Sequence, residues 1–273
     1  MRLGISHVTP HETPEQWAAE QRALGLSAVV FPVDYTAPDS VIAAYADACK
    51  KHDLLIAEVG AWSNPVAENA AEREAALQKC KGQLRLAEEL GARCCVNIAG
   101  AFAGSRWDGF HRANYTPEAF EATVASIRDI LDAVRPTRTA YCMEAMQWMI
   151  PDTPQQYLDL MHAVNRDAFA VHIDVTNWVY CPRTHLYNRE FIDEVFDLLG
   201  PQVRSCHLKD SKLHEGMTCL LEEVPVGLGG LDIAHYIARA EAVNPEMPMI
   251  IEHLKTDEEY RRAIDRVLAL PHR

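Results

Sequence analysis

Short, nearly continuous apolar runs alternate along the whole chain with longer stretches in which hydrophobic residues recur at helical spacing. The apolar runs are rich in Val and Ile, which is typical of strands that are buried on both faces, as in a parallel sheet. We therefore predict eight strands, at residues 3–8, 27–33, 54–60, 94–100, 140–146, 170–176, 204–210 and 248–254.

Signals for helix ends lie between these runs. Thr-Pro pairs at 13–14, 116–117 and 153–154 predict helix N-termini, as does Thr256 before an acidic first turn. A long helix is predicted over residues 69–90, ended by Gly91. Eight strands that are each followed by a helix predict an α/β chain with one domain, a (β/α)8 TIM barrel over residues 1–273. A doubly wound open sheet is the alternative, but the first strand lacks the Gly-rich turn of a dinucleotide-binding fold.

Charge and composition exclude several classes of protein. The chain of 273 residues carries 26 Lys and Arg against 39 Asp and Glu, a formal charge of −13, which argues against binding to nucleic acid. No segment approaches the ~20 unbroken apolar residues of a membrane span, and the N-terminal residues do not have the pattern of a secretory signal. None of the eight cysteines forms a C-x-x-C pair, so we expect a reducing, cytoplasmic environment.

Charged residues near the ends of four successive strands carry the chemistry. They are Glu144, Asp174, His207 and Glu252. Burying charges in apolar strands is costly unless they are paired or bound to metal, and in a closed barrel these four would converge. Three carboxylates with one imidazole suit a divalent metal, either Mn²⁺, Mg²⁺, Co²⁺ or Zn²⁺.

Other polar residues at strand ends are predicted to contact a substrate. His172 and Lys209 share strand parity with the ligands beside them; the alternative for His172 is a satisfied core histidine, and the alternative for Lys209 is a buried ion pair with a neighbouring carboxylate. The full set of predicted substrate contacts is His7, Glu58, Asn97, His172, Trp178 and Lys209. Three long irregular stretches, at 101–115, 177–188 and 211–230, predict the working face of the barrel. The glycines at 227, 229 and 230 are expected to make a tight turn, with a phosphate cradle as the alternative.

The motifs MEAM, HIDVTN, CHLKDSK, VGLGGLD and IIEHL resemble the xylose isomerase-like superfamily of sugar isomerases and epimerases. The resemblance covers the whole chain and implies one divalent metal, with Mn²⁺ expected first, bound by the four residues named above. It also implies that Glu144 and Glu252 remove and return a proton next to a carbonyl through a metal-stabilised enediolate. The implied activity is that of an isomerase or epimerase of a small sugar or polyhydroxy carbonyl compound in carbohydrate metabolism. Family members often form dimers or tetramers, so a homo-oligomer is expected.

Departures from the family pattern keep other functions open. Ile150, Asn177 and Leu213 stand where ketose 3-epimerases have substrate-contacting Glu, His and Arg, so their ketohexose specificity is not assumed. Lys209 in the run His-Leu-Lys-Asp resembles inosose dehydratase, which makes a dehydratase (lyase) of a keto-cyclitol the first alternative. A non-catalytic binding barrel is a further alternative. An endonuclease IV-like nuclease is another, although the histidines of its zinc cluster are missing.

Overall fold

The computed structural model describes residues 1–270 and contains a barrel of eight parallel strands beside a two-stranded hairpin. The strands are β1 (Arg2–Ile5), β2 (Ala28–Val30), β3 (Leu55–Gly60), β4 (Cys94–Asn97), β5 (Tyr141–Glu144), β6 (Phe169–Ile173), β7 (Val203–Leu208), β8 (Asp210–His214), β9 (Leu220–Val224) and β10 (Pro248–Ile251). The eight barrel strands coincide with the eight predicted runs, and most end a few residues earlier than predicted.

The strand order β1-β10-β7-β6-β5-β4-β3-β2 leaves β1 and β2 as neighbours across the closing seam. The Ser27 N–H donates to the Leu3 carbonyl at 2.8 Å, which joins the two ends of the sheet. Gly4 permits this closure, because a Cβ at this position would lie 2.6 Å from the Ala28 carbonyl oxygen. The predicted barrel is therefore confirmed, and the open doubly wound sheet is excluded.

Helices lie between the strands, and the five whose starts the sequence predicts begin at or within one residue of the predicted position. They are α1 (Pro14–Ala23), α2 (Asp39–Lys51), α3 (Ala70–Leu90), α4 (Pro117–Val134), α5 (Pro154–Val164), α6 (Pro182–Leu186), α7 (Asn188–Leu199), α8 (Ile233–Val243) and α9 (Asp257–Leu268). The hydroxyls of Thr13, Thr116 and Thr153 each accept a backbone N–H of the first helical turn. Thr256 does the same as part of a capping box. Gly91 ends α3 with φ of 66°, in the left-handed region that favours glycine.

All three stretches predicted to be irregular contain regular structure, and residues 101–115 end in the 3₁₀ turn Arg112–Tyr115. Residues 211–230 include the antiparallel hairpin of β8 and β9, in which Lys212 pairs with Glu222. Residues 177–188 include the short helix α6 and part of the 3₁₀ turn Thr176–Trp178. The hairpin escaped prediction because β9 is largely exposed on both faces and therefore lacks an alternating apolar pattern.

Two register shifts change which side chains face the barrel interior. Between β2 and β3, Val29 pairs with Ile56 but Val30 pairs with Glu58, so Ala57 is an extra residue on β3. Between β6 and β7, Val171 pairs with Val203 but His172 pairs with Ser205. Such bulges re-aim the residues that follow them. They matter for the site because Glu58, His172 and Ser205 meet inside the barrel.

Apolar side chains form one large cluster between barrel and helices and smaller clusters elsewhere. Alternate residues of β4–β6, including Cys94, Val96 and Cys142, form one of the small clusters inside the barrel. Six of the eight cysteines are buried, where they act as small hydrophobic residues. Across residues 1–270, none of the helices combines the length and the apolar character that crossing a membrane requires.

Candidate active site

The ends of four barrel strands bring together the residues that the sequence singles out as metal ligands. They come from β5, β6, β7 and β10, and they are Glu144, Asp174, His207 and Glu252. Their donor atoms lie within 4.8 Å of one another, and all four residues are buried. Four residues that lie far apart in the chain thus form a single group of three carboxylates and one imidazole.

The imidazole of His207 lies between two of these carboxylates. Its Nδ1 is 2.8 Å from Glu252 Oε1 and 3.3 Å from Glu144 Oε1. The next residue after Glu252, His253, has a left-handed backbone with φ of 61°, and its side chain contacts Glu223 at 2.9 Å. Glu252, not His253, therefore faces the group.

The ammonium group of Lys209 shares this position. Its Nζ lies 2.5 Å from Glu252 Oε1, 2.7 Å from Asp174 Oδ2 and 3.7 Å from Glu144 Oε1. Only 3% of Lys209 is exposed, so these charges interact away from bulk water. Lys209 also lines the cavity described below, as expected of a substrate contact, but its ammonium is engaged by the carboxylates.

Two carboxylate oxygens of the group, Asp174 Oδ2 and Glu252 Oε1, accept no aligned hydrogen bond within residues 1–270. Lys209 and His207 approach them closely, but without the alignment of a hydrogen bond. Buried carboxylate oxygens are normally satisfied by hydrogen bonds or by a cation. These two oxygens and the donor set of three carboxylates and one imidazole fit a divalent metal such as Mn²⁺ or Mg²⁺.

The charges of the group shift one another's protonation. Burial and the neighbouring glutamates raise the pKa of Asp174 to about 6, although Lys209 acts in the opposite direction. Burial disfavours the charged form of Glu252, but His207 and Lys209 outweigh it and hold the pKa of this carboxyl well below its ordinary value. Burial acts likewise against charge on His207, but the carboxylates around it raise the pKa of this imidazole well above its ordinary value. A metal that binds Nδ1 therefore has to displace a proton.

Glu58 and His172, both predicted as substrate contacts, lie against His207. Glu58 Oε1 accepts a hydrogen bond from Ser205 Oγ and lies 3.0 Å from His172 Nε2. The other oxygen, Oε2, is 3.3 Å from His207 Nε2. Glu58 borders the cavity but is only 1% exposed, and His172 is fully buried with its ring packed on that of His207. Alternation along β6 gives the inward direction of His172 but not its depth, and Glu58 faces inward because the extra residue Ala57 breaks the alternation along β3.

Asn97 and Trp178, also predicted as substrate contacts, lie in the core. Asn97 shares its strand face with Cys95, which packs toward the helices, and its side-chain oxygen accepts the Ser63 N–H at 3.0 Å. Trp178 is 1% exposed and meets the ring of Tyr157 edge-on at 6.3 Å. The structure corrects both predictions: Asn97 is on the outward face of β4, and Trp178 is buried by its 3₁₀ turn.

His7, the remaining predicted contact, is held at the rim of the barrel. Its Nε2 lies 2.7 Å from Asp257 Oδ1, and its ring stacks on Tyr260 with centroids 5.2 Å apart. These contacts attach the end of β1 to α9. His7 is not among the residues that line the cavity described below.

A cavity of about 370 Å³ opens onto the charged group. Its apolar wall consists of Val30, Trp62, Ile98, Trp107 and Met146. A Cβ at Gly60 would lie 2.2 Å from Trp62 Nε1, so glycine is needed for this ring to fold against the end of β3. A larger cleft of about 590 Å³ lies beside α3 and α4, and of the described residues none lines both.

Sequence reasoning did not identify the residue that orients Glu144. Asn177 Nδ2 donates to Glu144 Oε1 at 2.9 Å and to the Ala145 carbonyl at 3.0 Å. Its position three residues after Asp174, within the same motif, is the signal that could have indicated this role. Trp62 and Trp107, which line the cavity, lie in the loops that follow β3 and β4. This position is the only feature of the sequence that indicates their place in the cavity wall.

The backbone N–H groups of the glycine turn, residues 225–231, donate to a carboxylate of the protein itself. The Asp210 carboxylate accepts the N–H groups of Gly227 at 3.1 Å, Gly229 at 2.8 Å and Leu231 at 3.0 Å. These donors are therefore already engaged within the protein, as expected for a tight turn and not for a phosphate cradle. Asp210 closes the loop after the hairpin and fixes the start of α8.

A family model described as xylose isomerase-like TIM barrel matches residues 18–270. No curated protein matches the chain in sequence.

Solved structures of the same fold cover nearly the whole chain. A xylose isomerase-like TIM barrel protein from Mycobacterium smegmatis in complex with magnesium is 17% identical, with a TM-score of 0.70, over 97% of this chain and 90% of that chain. The 3-keto-D-glucoside 4-epimerase from E. coli is 14% identical, with a TM-score of 0.72, over 99% and 98%. The probable 3-DHS dehydratase AsbF from Bacillus anthracis is 13% identical, with a TM-score of 0.74, over 98% and 99%. Identities this low show likeness of fold.

Proposed function

The chain belongs to the xylose isomerase-like TIM barrel family, and we propose that it is a divalent-metal-dependent isomerase or epimerase of a small polyhydroxy carbonyl compound. The observation that carries this proposal is the pair of buried carboxylate oxygens that accept no aligned hydrogen bond in residues 1–270, Asp174 Oδ2 and Glu252 Oε1. They belong to a four-residue ligand set that opens onto a cavity large enough for a small molecule. A magnesium complex in the mycobacterial structure of the same fold supports the choice of a divalent metal.

The bound metal would act as a Lewis acid that polarises the substrate carbonyl. Glu144 and Glu252 supply the proton transfers, because their carboxylates enter the site from strands separated by β6 and β7 and can approach a carbon from two sides. One takes the proton next to the carbonyl and the other returns it, which inverts the centre. Asn177 holds Glu144 in position through its amide.

The lining of the cavity supports an uncharged substrate. Its carboxylates are Glu58, Asp108, Glu144 and Glu252, and the cationic groups that face them are Lys209 and the imidazoles of His207 and His253. Lys209 is already paired with carboxylates. An anionic group on the substrate would therefore find no unpaired cationic side chain in the cavity among the described residues. Trp62 and Trp107 offer flat apolar surfaces of the kind on which the apolar face of a sugar ring packs.

Deuterium exchange tests the proposal. The Mn²⁺-loaded protein is incubated in D₂O with neutral ketoses, keto-sugars and inososes, and NMR detects deuterium at carbons next to the carbonyl. We expect exchange with at least one neutral compound, and its loss in Glu144→Gln and Glu252→Gln. Glu121→Gln, an exposed glutamate on α4, is the matched control and should exchange normally. Full activity in both site variants would overturn the two-carboxylate mechanism.

A dehydratase is the second candidate, and the position of Lys209 favours it. An ammonium group beside the carboxylates and the cavity could protonate a hydroxyl that leaves from the carbon next to the enolised one. The likeness to AsbF agrees with this chemistry, although it shows the fold alone. Formation of a dehydrated product in the same NMR experiment, and its absence with Lys209→Met, would identify a dehydratase. Bound metal without exchange across the panel would instead support a binding barrel.

Three further expectations stay proposals with simple tests. Metal analysis of the purified protein checks whether Mn²⁺ is the preferred ion. Light scattering coupled to size exclusion checks the expected homo-oligomer. Fractionation of cells that express the chain checks the expected cytoplasmic location.

A further inference from the structure

We infer that Glu58 is a positioning residue for the metal centre, which holds His207 through Nε2 so that Nδ1 faces the ligand carboxylates. The inference rests on the proposed function, because it concerns the metal that this function requires. It replaces the substrate contact that the sequence predicts for Glu58 with a role that acts through His207.

The geometry places Glu58 directly behind the imidazole. Oε2 of Glu58 lies 3.3 Å from His207 Nε2, while His207 Nδ1 lies 2.8 Å from Glu252 Oε1 on the opposite side of the ring. A carboxylate can only accept at this position, so it keeps a proton on Nε2 when a metal displaces the proton from Nδ1. The Nδ1 lone pair is then directed at the ligand set. Carboxylates that hold metal-binding histidines in this way orient the ring and increase its basicity.

Glu58 is itself held in place from the side away from His207. Its Oε1 accepts a hydrogen bond from Ser205 and lies 3.0 Å from His172 Nε2. The other ring nitrogen of His172, Nδ1, is buried and has no partner among residues 1–270, which leaves the ring proton on Nε2 for Glu58. The extra residue Ala57 on β3 turns Glu58 inward, whereas Ile56, with which it would otherwise share a face, packs outward.

The trio of Glu58, His172 and His207 could also be read as a second metal site, since its donor atoms lie close together. Hydrogen bonding distinguishes the two clusters. Both oxygens of Glu58 take part in hydrogen bonds, whereas Asp174 Oδ2 and Glu252 Oε1 accept no aligned hydrogen bond within residues 1–270 and face the Lys209 ammonium instead. A satisfied carboxylate needs no cation, so the trio supports the metal centre instead of forming one.

Glu58→Gln tests the inference, because it keeps the shape of the side chain and replaces one acceptor oxygen by a donor. We expect the affinity for Mn²⁺, measured by titration calorimetry, to fall about 10–100-fold. Electron spin-echo spectroscopy of bound Mn²⁺ should show a weakened coupling to the imidazole nitrogen. Glu121→Gln, on the exposed face of α4, is the matched control: it makes the same substitution away from the site, so its affinity should stay within about threefold of wild type. Glu58→Asp, with melting temperatures in EDTA for all variants, separates a folding defect from a metal defect, and partial recovery of affinity in this variant supports the inference.

The outcomes separate the inference from the proposed function. Wild-type affinity and nitrogen coupling in Glu58→Gln would overturn the inference and leave the proposed function standing. Two metal ions per wild-type chain would also overturn it, because the trio would then be a ligand set. A wild-type chain that binds no Mn²⁺, Mg²⁺, Co²⁺ or Zn²⁺ would overturn both.

Discussion

Lys209→Met changes the balance of charge in the candidate metal centre without altering any of the four ligands. The Lys209 ammonium lies 2.5 Å from Glu252 Oε1 and 2.7 Å from Asp174 Oδ2, the same two oxygens that a metal would bind. Lysine and metal therefore compete for one position. Methionine has a similar shape and volume but carries no charge, so the variant isolates this competition.

The size of the effect follows from the burial of the group. Removing one partner of a buried ion pair costs about 3–5 kcal/mol, because the remaining charges are left uncompensated. For a chain of this length, about 1 kcal/mol corresponds to roughly 2 °C in melting temperature. In EDTA the variant should therefore melt about 6–10 °C below wild type. A bound metal restores the missing positive charge, so the deficit should become small in saturating Mn²⁺.

The same argument predicts tighter metal binding in Lys209→Met. Proton uptake by Asp174, whose pKa burial already raises to about 6, relieves part of the strain in the metal-free variant. We therefore expect an increase in Mn²⁺ affinity of at least about tenfold, or ~1.4 kcal/mol, at pH 8, where this uptake is least. Titration calorimetry measures the affinity, and scanning calorimetry with and without metal measures the shift in melting temperature.

Lys212→Met is the matched control, because Lys212 is exposed on the neighbouring hairpin. It should change neither quantity. The reasoning fails if Lys209→Met melts within about 2 °C of wild type in EDTA and binds metal no more tightly. Weaker binding would mean that Lys209 helps to hold the ligands in place.

Three further predictions concern other contacts in the barrel. Glu88 accepts backbone N–H groups of residues 137–139, and these bonds outweigh burial and lower the pKa of its carboxyl. Glu88→Gln should therefore lower the free energy of unfolding in urea by about 1 kcal/mol at pH 7. This deficit is present above about pH 4.5 and shrinks as the pH falls through the folded-state pKa. Asp210→Ala leaves the N–H groups of the glycine turn without their acceptor, so hydrogen exchange there should accelerate, whereas Asp210→Asn should retain part of the protection. Gly60→Ala places a methyl 2.2 Å from Trp62 Nε1 and should shift tryptophan fluorescence while Mn²⁺ affinity stays unchanged; an unshifted spectrum would contradict the packing.

Local signals predicted the elements with good accuracy. Thr13, Thr116 and Thr153 cap their helices as expected, because capping depends on residues within one turn. The hairpin of β8 and β9 was missed for the converse reason: its pairing connects exposed residues that carry no apolar pattern.

The sequence indicated which four charged residues lie together, but it did not indicate how deeply the neighbouring polar and aromatic side chains are buried. Glu144 and Glu252 could be selected because a charge in an apolar strand is costly wherever the strand lies. Asn97 could not be placed correctly, because the face on which it lies follows from packing of β4 against α3. Trp178 was misplaced because a loop residue near an active face can equally well turn into the core.

The sequence by itself determined the alternation of strands and helices, the barrel and the four charged residues at its active end, because each depends on periodicity or on the cost of burying a charge. Only the tertiary structure decided which atoms meet. Glu58 and His207 lie 149 residues apart in the chain, and a one-residue bulge on β3 turns Glu58 toward the imidazole. Electrostatic interactions at contact depend on distances of a few ångströms, which a linear pattern does not specify. The partition of the buried carboxylates is therefore a property of the folded barrel: Glu58 is hydrogen-bonded, whereas Asp174 Oδ2 and Glu252 Oε1 face the Lys209 ammonium without an aligned hydrogen bond.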